Sequence, residues 1–185
     1  MRQHPKSLVV LAGLPLSGKT TIGKLLSEKY KIPFLDIDET RAEFDNSGIW
    51  HGAEKEREIM LEAYTQNHNK AGIHLVAGKP VIIAATYSRS SYHDMLKELS
   101  KNHAVDCYFF LLEASEESVK VRLEHRKKHG AKSNINTLES YKEVRDRYQP
   151  YKYESTNIIS TDMDIEKSLL AVEQVLMAAG VLTKT

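Results

Sequence analysis

Cysteine is nearly absent: Cys107 is the single one in 185 residues. That excludes an internal disulfide framework and any cysteine-rich zinc module. An excess of one charge is missing too, with 26 Lys and Arg against 25 Asp and Glu and a net charge of +1. Proteins that live on phosphate backbones usually carry a basic excess or stripe, so the simplest form of nucleic-acid binding is excluded. No apolar run approaches the ~18 residues needed to cross a bilayer. The short apolar run in MRQHPKSLVVLAG lacks a small-residue cleavage site and reads as a strand, not a signal peptide. Without a targeting signal or paired cysteines, the expected location is the cytoplasm. Low-complexity tracts and internal repeats are also lacking. The composition, 41% apolar and 28% charged, is that of an ordinary globular chain. Disorder, collagen and coiled coil are excluded for the chain as a whole. A single domain spanning residues 1–185 is expected from the length.

Five short apolar runs are present: Leu8–Ala12, Pro33–Ile37, Pro80–Ala85, Asp106–Leu112 and Asn157–Ser160. The first, third and fourth are continuously apolar, which suits strands buried on both faces of a parallel sheet. Helical patterns separate them: Lys19–Lys29, Ala53–Ala77, Ser90–Lys101, Ser115–His129, Thr137–Tyr148 and Asp164–Ala179. Such alternation predicts an α/β fold with helices on both faces of the sheet. The stretch from His125 to Tyr153 is the most polar part and is the expected lid over a site.

Residues 13–20 read Gly13-Leu14-Pro15-Leu16-Ser17-Gly18-Lys19-Thr20, the G-x-x-x-x-G-K-[ST] pattern between a buried strand and a helix. The glycines let successive N–H groups turn inward around a phosphate, and the helix beginning near Lys19 points its positive end at the same anion. Lys19 supplies a mobile charge for the outer phosphates. Thr20 offers a hydroxyl to Mg²⁺, which prefers oxygen ligands. Thr21 completes the candidate nucleotide-binding set.

The second apolar run carries Asp36 and Asp38. In a strand, residues two apart share a face, roughly 6.6 Å apart along the chain. At the carboxyl end of a parallel sheet both acids would face a ligand. Asp36 is the candidate Mg²⁺ ligand and Asp38 the candidate base that accepts a proton from an attacking hydroxyl. The alternative is that Asp38 caps a helix starting at Glu39. Arg41 is a candidate for orienting Asp38 or binding the acceptor. Beyond Ala85, Thr86 and Arg89 are further acceptor candidates, or simply flank a helix cap at Ser90. No acid ends this third strand, which puts the weight of metal binding on Asp36.

Arg122 and Arg126 lie four apart and share a helix face. Arg126 is the candidate that stabilises charge on a transferring phosphoryl group, and Arg122 the candidate nucleotide contact. Lys127 and Lys128 read as a solvated face. His125 and His129 have helical ligand spacing but no third ligand. Tyr141, Tyr148, Tyr151 and Tyr153 interleave with basic residues, as stacking platforms for bases or as a helix packing its tyrosines on the sheet. Trp50 either lines an acceptor pocket or anchors its loop.

With these residues in view, the chain resembles the small phosphate-loop kinases related to shikimate kinase, gluconate kinase and the 5′-hydroxyl polynucleotide kinases. Phe34-Leu35-Asp36-x-Asp38 is similar to the acid pair of the first two, and Asp38-x-x-Arg41 to the base-and-arginine pair of the third. Ala84 to Asp94 resembles the third-strand segment of gluconate kinases. Arg122-x-x-x-Arg126 sits where that family carries lid arginines. The chain departs from gluconate kinases at Glu39-Thr40, which stands for their His-Pro, and from polynucleotide kinases at Ala85, where those carry Asp. The resemblance implies a P-loop NTPase fold: three α/β/α layers around a five-stranded parallel sheet of order 2-3-1-4-5, with a small helical lid. It also implies ATP with Mg²⁺ as phosphoryl donor and a small hydroxyl-bearing acceptor. Alternatives are a 5′-hydroxyl polynucleotide or nucleoside kinase, and a non-catalytic nucleotide-binding regulator.

Overall fold

The structure, a computed structural model, describes residues 5–45, 51–129, 135–149, 155–162 and 164–183. The strands are β1 (Leu8–Ala12), β2 (Phe34–Asp36), β3 (Val81–Ala84), β4 (Cys107–Glu113) and β5 (Asn157–Ser160). The helices are α1 (Lys19–Tyr30), α2 (Ile37–Phe44), α3 (Ala53–Val76), α4 (Ser90–His103), α5 (Glu116–Lys128), α6 (Leu138–Arg147) and α7 (Ile165–Ala178). The strands form one sheet of order β2-β3-β1-β4-β5, and every pairing is parallel. This is the order that the resemblance implies.

The two-residue period of the strands sorts the core into two faces. Leu8, Val10, Val81, Ile83, Phe109 and Leu111 point to one side, where Tyr64, Leu75 and Leu96 of α3 and α4 cover them. Val9, Leu11, Ile82, Phe110 and Leu112 point to the other, under Ile22 and Leu26 of α1 and Val172 and Leu176 of α7. All five residues of β1 are fully buried, as a central strand covered on both faces must be. Both faces being apolar explains the continuous apolar runs. Within the described residues, no helix is long and apolar enough to cross a membrane.

Two expectations need correction. The second strand stops at Asp36, and a helix, α2, begins at Ile37, ahead of the alternative start at Glu39. The Asp36 carboxylate accepts from the Asp38 N–H at 3.0 Å and caps that helix. Asp36 is therefore the cap, and Asp38 lies in the first helical turn; the two do not share a strand face. The second correction concerns Tyr141. It packs not with the two cores of the sheet but on Leu16, Val119 and Leu123 in a third, small core. Thr137 caps α6 through a reciprocal bond with Ser140, and Leu138 and Ile135 close the same cluster. This cluster seats α6 and α5 on the apolar residues of the 13–18 loop.

Tyr141→Ala is expected to cost roughly 3 kcal/mol and to lower the Tm by several degrees, read by calorimetry. An unchanged Tm would show that α6 does not rest on this cluster.

Candidate active site

The loop after β1 is bent by three residues at positive φ: Gly13 at 137°, Leu16 at 66° and Gly18 at 88°. A Cβ on Gly13 would drive into the Leu112 carbonyl of the neighbouring strand, so no side chain fits there. A Cβ on Gly18 would meet only Thr161, at 3.8 Å, so there the left-handed backbone alone sets the requirement. Gly18 hands the chain to α1 with no side-chain cap bond and no acid in the first turn. The N–H groups and positive end of α1 are thereby left for an anion.

Lys19 lies across the loop. Its Nζ donates to the carbonyls of Gly13 at 2.9 Å and Leu14 at 2.7 Å, and to Ser17 Oγ at 3.4 Å. Burial lowers its pKa to about 8, against the pull of Asp38 and Asp36, while Arg126 adds to the lowering. Thr20 Oγ1 donates to Asp36 Oδ2 at 2.7 Å. The sequence-expected metal pair is thus brought together as two hard oxygen donors, one of them a carboxylate only 5% exposed. That set suits Mg²⁺, which takes one or two protein oxygens and keeps its waters.

The Asp38 side chain is exposed to solvent. The protein packed around it, and then the Asp36 charge, push its pKa up; Lys19, Arg126 and Arg41 act the other way. The two acids, Lys19 and Arg126 therefore form one electrostatic cluster although they come from α1, β2, α2 and α5. Arg41 is committed to ion pairs, at 2.9 Å with Glu56 and 3.5 Å with Asp45. Its charge still reaches Asp38. Asp45, His51 and Glu56 have metal-ligand proximity, but the Arg41 guanidinium already supplies a cation to both carboxylates.

Arg122 is directed at the loop itself. Its Nη1 donates to the Leu16 carbonyl at 2.6 Å and to Thr161 Oγ1 at 3.1 Å, and its Nη2 to the Thr161 carbonyl. Thr86 is half-buried beyond β3, and Arg89 is exposed at the start of α4. Between them Tyr87 is fully buried at φ 49°, an uncommon backbone for a bulky residue. It is held by Tyr64 Oη, which accepts its N–H at 2.9 Å, and by contacts of its hydroxyl with His68 and its carbonyl with His93. Thr21, Lys127 and Lys128 are exposed. The His125 and His129 rings stack at 4.1 Å. Trp50, Tyr151 and Tyr153, and parts of the expected lid, lie outside the described residues.

A cavity of about 350 Å³ opens beside the loop, with Leu14, Pro15, Ser17, Glu113, Tyr141 and Tyr148 among its walls. Burial and the nearby Glu113 push the Tyr148 phenol up to about 12. Sequence reasoning missed Thr161 and Asp162. Their signal was position: a hydroxyl and an acid at the carboxyl end of a strand, where ligands collect. Tyr64 and His68 gave no such signal, because their polar atoms meet only through the packing of α3 on β3.

The profile of the family described as AAA domain, AAA_33, matches residues 8–151. A gluconokinase of Arabidopsis thaliana is 26% identical over 128 residues, 64% of this chain and 66% of that protein. The match thus spans just under two thirds of that relative. Among solved structures, a gluconokinase from Sinorhizobium meliloti superimposes with TM-score 0.62 at 20% identity, covering 96% of this chain and 97% of that one. An APS kinase from Mycobacterium tuberculosis, in complex with AMPPNP and APS, superimposes with TM-score 0.67 at 16% identity, covering 94% and 99%. At these identities the structural likenesses establish the fold.

The Lys19 pKa of about 8 has a direct consequence. Below it the ammonium is charged and meets phosphate; above it the free protein must take up a proton to bind. Nucleotide affinity measured by calorimetry is expected to be flat near neutral pH and to fall by up to about tenfold per pH unit above 8. A flat affinity up to pH ~9.5 would contradict this reading.

Proposed function

The chain belongs to the AAA domain family AAA_33, and from that premise we propose that it is an ATP-dependent kinase of a small hydroxyl-bearing metabolite. The observation that carries the proposal is the arrangement at the loop: Lys19 across the Gly13 and Leu14 carbonyls, Thr20 bonded to Asp36, and the exposed Asp38 in the first turn of α2, its N–H bonded to Asp36. A nucleotide-binding regulator has no need of a second, accessible carboxylate at that point. Residues 1–185 then form one kinase domain, with 125–153 as its lid.

The loop N–H groups and Lys19 hold the β- and γ-phosphates. Thr20 and Asp36 would hold Mg²⁺, which would neutralise phosphate charge. The acceptor hydroxyl attacks the γ-phosphorus, its proton passes to the Asp38 carboxylate, and the bond to the β,γ-bridging oxygen breaks. The products are a phosphomonoester and ADP. Arg126 stabilises the charge spread over the moving phosphoryl oxygens. A carboxylate with a raised pKa accepts the proton more readily than an ordinary Asp.

The acceptor class is a sugar, sugar acid or related polyol. Support comes from the gluconokinase relative. Two features favour another member of the class over gluconate itself. Thr40, at the place of the proline in the gluconate kinases, is buried and accepts from Asn67 at 3.1 Å. Glu39, at the place of their histidine, pairs with Lys24. The packing of Tyr141 in the core removes one platform from the polynucleotide alternative.

Asp38→Asn is expected to lower acceptor-stimulated ADP release by about 10²–10⁴-fold while leaving the nucleotide Kd within about twofold. The assay couples ADP release to a panel of polyols, sugar acids, nucleosides and 5′-hydroxyl oligonucleotides. Stimulated turnover that survives the substitution would overturn the base assignment.

A further inference from the structure

We infer that Arg122 is a positioning residue, a latch that fixes the lid-bearing helix α5 to the phosphate loop and so sets the place of Arg126. Two of its nitrogens are already bonded. Nη1 bridges the Leu16 carbonyl and the Thr161 hydroxyl, and Nη2 takes the Thr161 carbonyl. These partners are 106 and 39 residues away in sequence. One planar guanidinium therefore joins three elements: the loop after β1, helix α5 and the turn after β5. Only a rigid fork of several donors can do this, and a lysine ammonium is a poor substitute.

The surroundings agree with a latch. Leu16, whose carbonyl is held, is a non-glycine residue at positive φ, so its peptide group needs an outside partner to stay in place. Its side chain is buried against Val119 and Leu123 of the same helix. The N-terminus of α5 is tied to the same turn, since the Ser115 N–H donates to Asp162 Oδ1 at 2.7 Å. Thr161 is 2% exposed, and its hydroxyl donates a hydrogen bond to the Glu113 carbonyl at 3.0 Å. With α5 held at both points, Arg126, one turn past Arg122 on the same face, comes within electrostatic reach of Lys19 and Asp38. The second half of this inference rests on the catalytic reading of Arg126; the first half does not.

The test separates the two halves. Hydrogen exchange on the nucleotide-free protein reads the latch without any turnover. Arg122→Gln is expected to speed amide exchange about tenfold in peptides covering the 13–18 loop and α5, with β3 and α3 unchanged. Arg122→Lys is expected to show most of the same loss, Thr161→Val a part of it, and Thr161→Ser and Arg126→Gln none. If Arg122 only contacted nucleotide, exchange in the free protein would stay at the wild-type rate while affinity fell, and the latch would be wrong. Faster exchange spread over the whole chain would equally overturn it, and Arg122→Lys keeps the test open should Arg122→Gln fail to fold. In turnover, the loss in Arg122→Gln/Arg126→Gln is expected to equal that of Arg126→Gln alone within about twofold. Fully multiplicative losses would overturn the claim that Arg122 acts through Arg126.

Discussion

Gly13 lies so close to the Leu112 carbonyl that no side chain fits between them. That contact follows from β1 pairing with β4 along its full length, and the rest of the site depends on it. Because β1 is buried on both faces and bonded on both edges, the point where the chain leaves the sheet is rigid. The loop can then hold backbone angles that an unsupported segment would abandon. Lys19 follows at a set distance and lies across the carbonyls of Gly13 and Leu14. A phosphate entering the loop would draw the ammonium from carbonyl oxygens to its own, a stronger charge-assisted partner.

The second constraint is electrostatic. The charges of two acids and two cations meet at the loop, where they act on Lys19 and Asp38. Asp36 is fixed on both oxygens, by the Thr20 hydroxyl and the Asp38 N–H. Asp38 has its side chain toward solvent and is the less committed of the pair. That difference, one buried carboxylate bonded to Thr20 and one accessible carboxylate, arises from a single local event: the strand ends at Asp36 and a helix starts at Ile37.

The sheet was legible because burial on both faces demands unbroken apolar runs, and β1 and β5 have the bounds that their runs predict. Helix starts were legible where a cap residue stands before the first turn, as at Ser115, Thr137 and Asp164. The start of helix α2 was not. Phe34 to Ile37 reads as strand by propensity, and the turn to helix after three strand residues is set by a side-chain bond of Asp36 that composition does not reveal. The loop pattern was legible as chemistry, since only one arrangement of backbone uses those glycines. Arg122 shows the limit on the other side. Its spacing from Arg126 puts both on one face, but its partners come from two distant turns that no local pattern connects. Tyr141 had the same ambiguity, resolved only when α6 is seen resting on the loop.

On the proposed function, the site moves a phosphoryl group to a carbon-bound hydroxyl. Phosphorus NMR of MgATP incubated with the protein and pooled polyols and sugar acids tests it most directly, because phosphomonoesters and inorganic phosphate resonate apart. Loss of the γ-phosphate signal, growth of ADP signals and one new phosphomonoester resonance in equal amount are expected. ADP accompanied by inorganic phosphate alone, at a rate no acceptor alters, would contradict it.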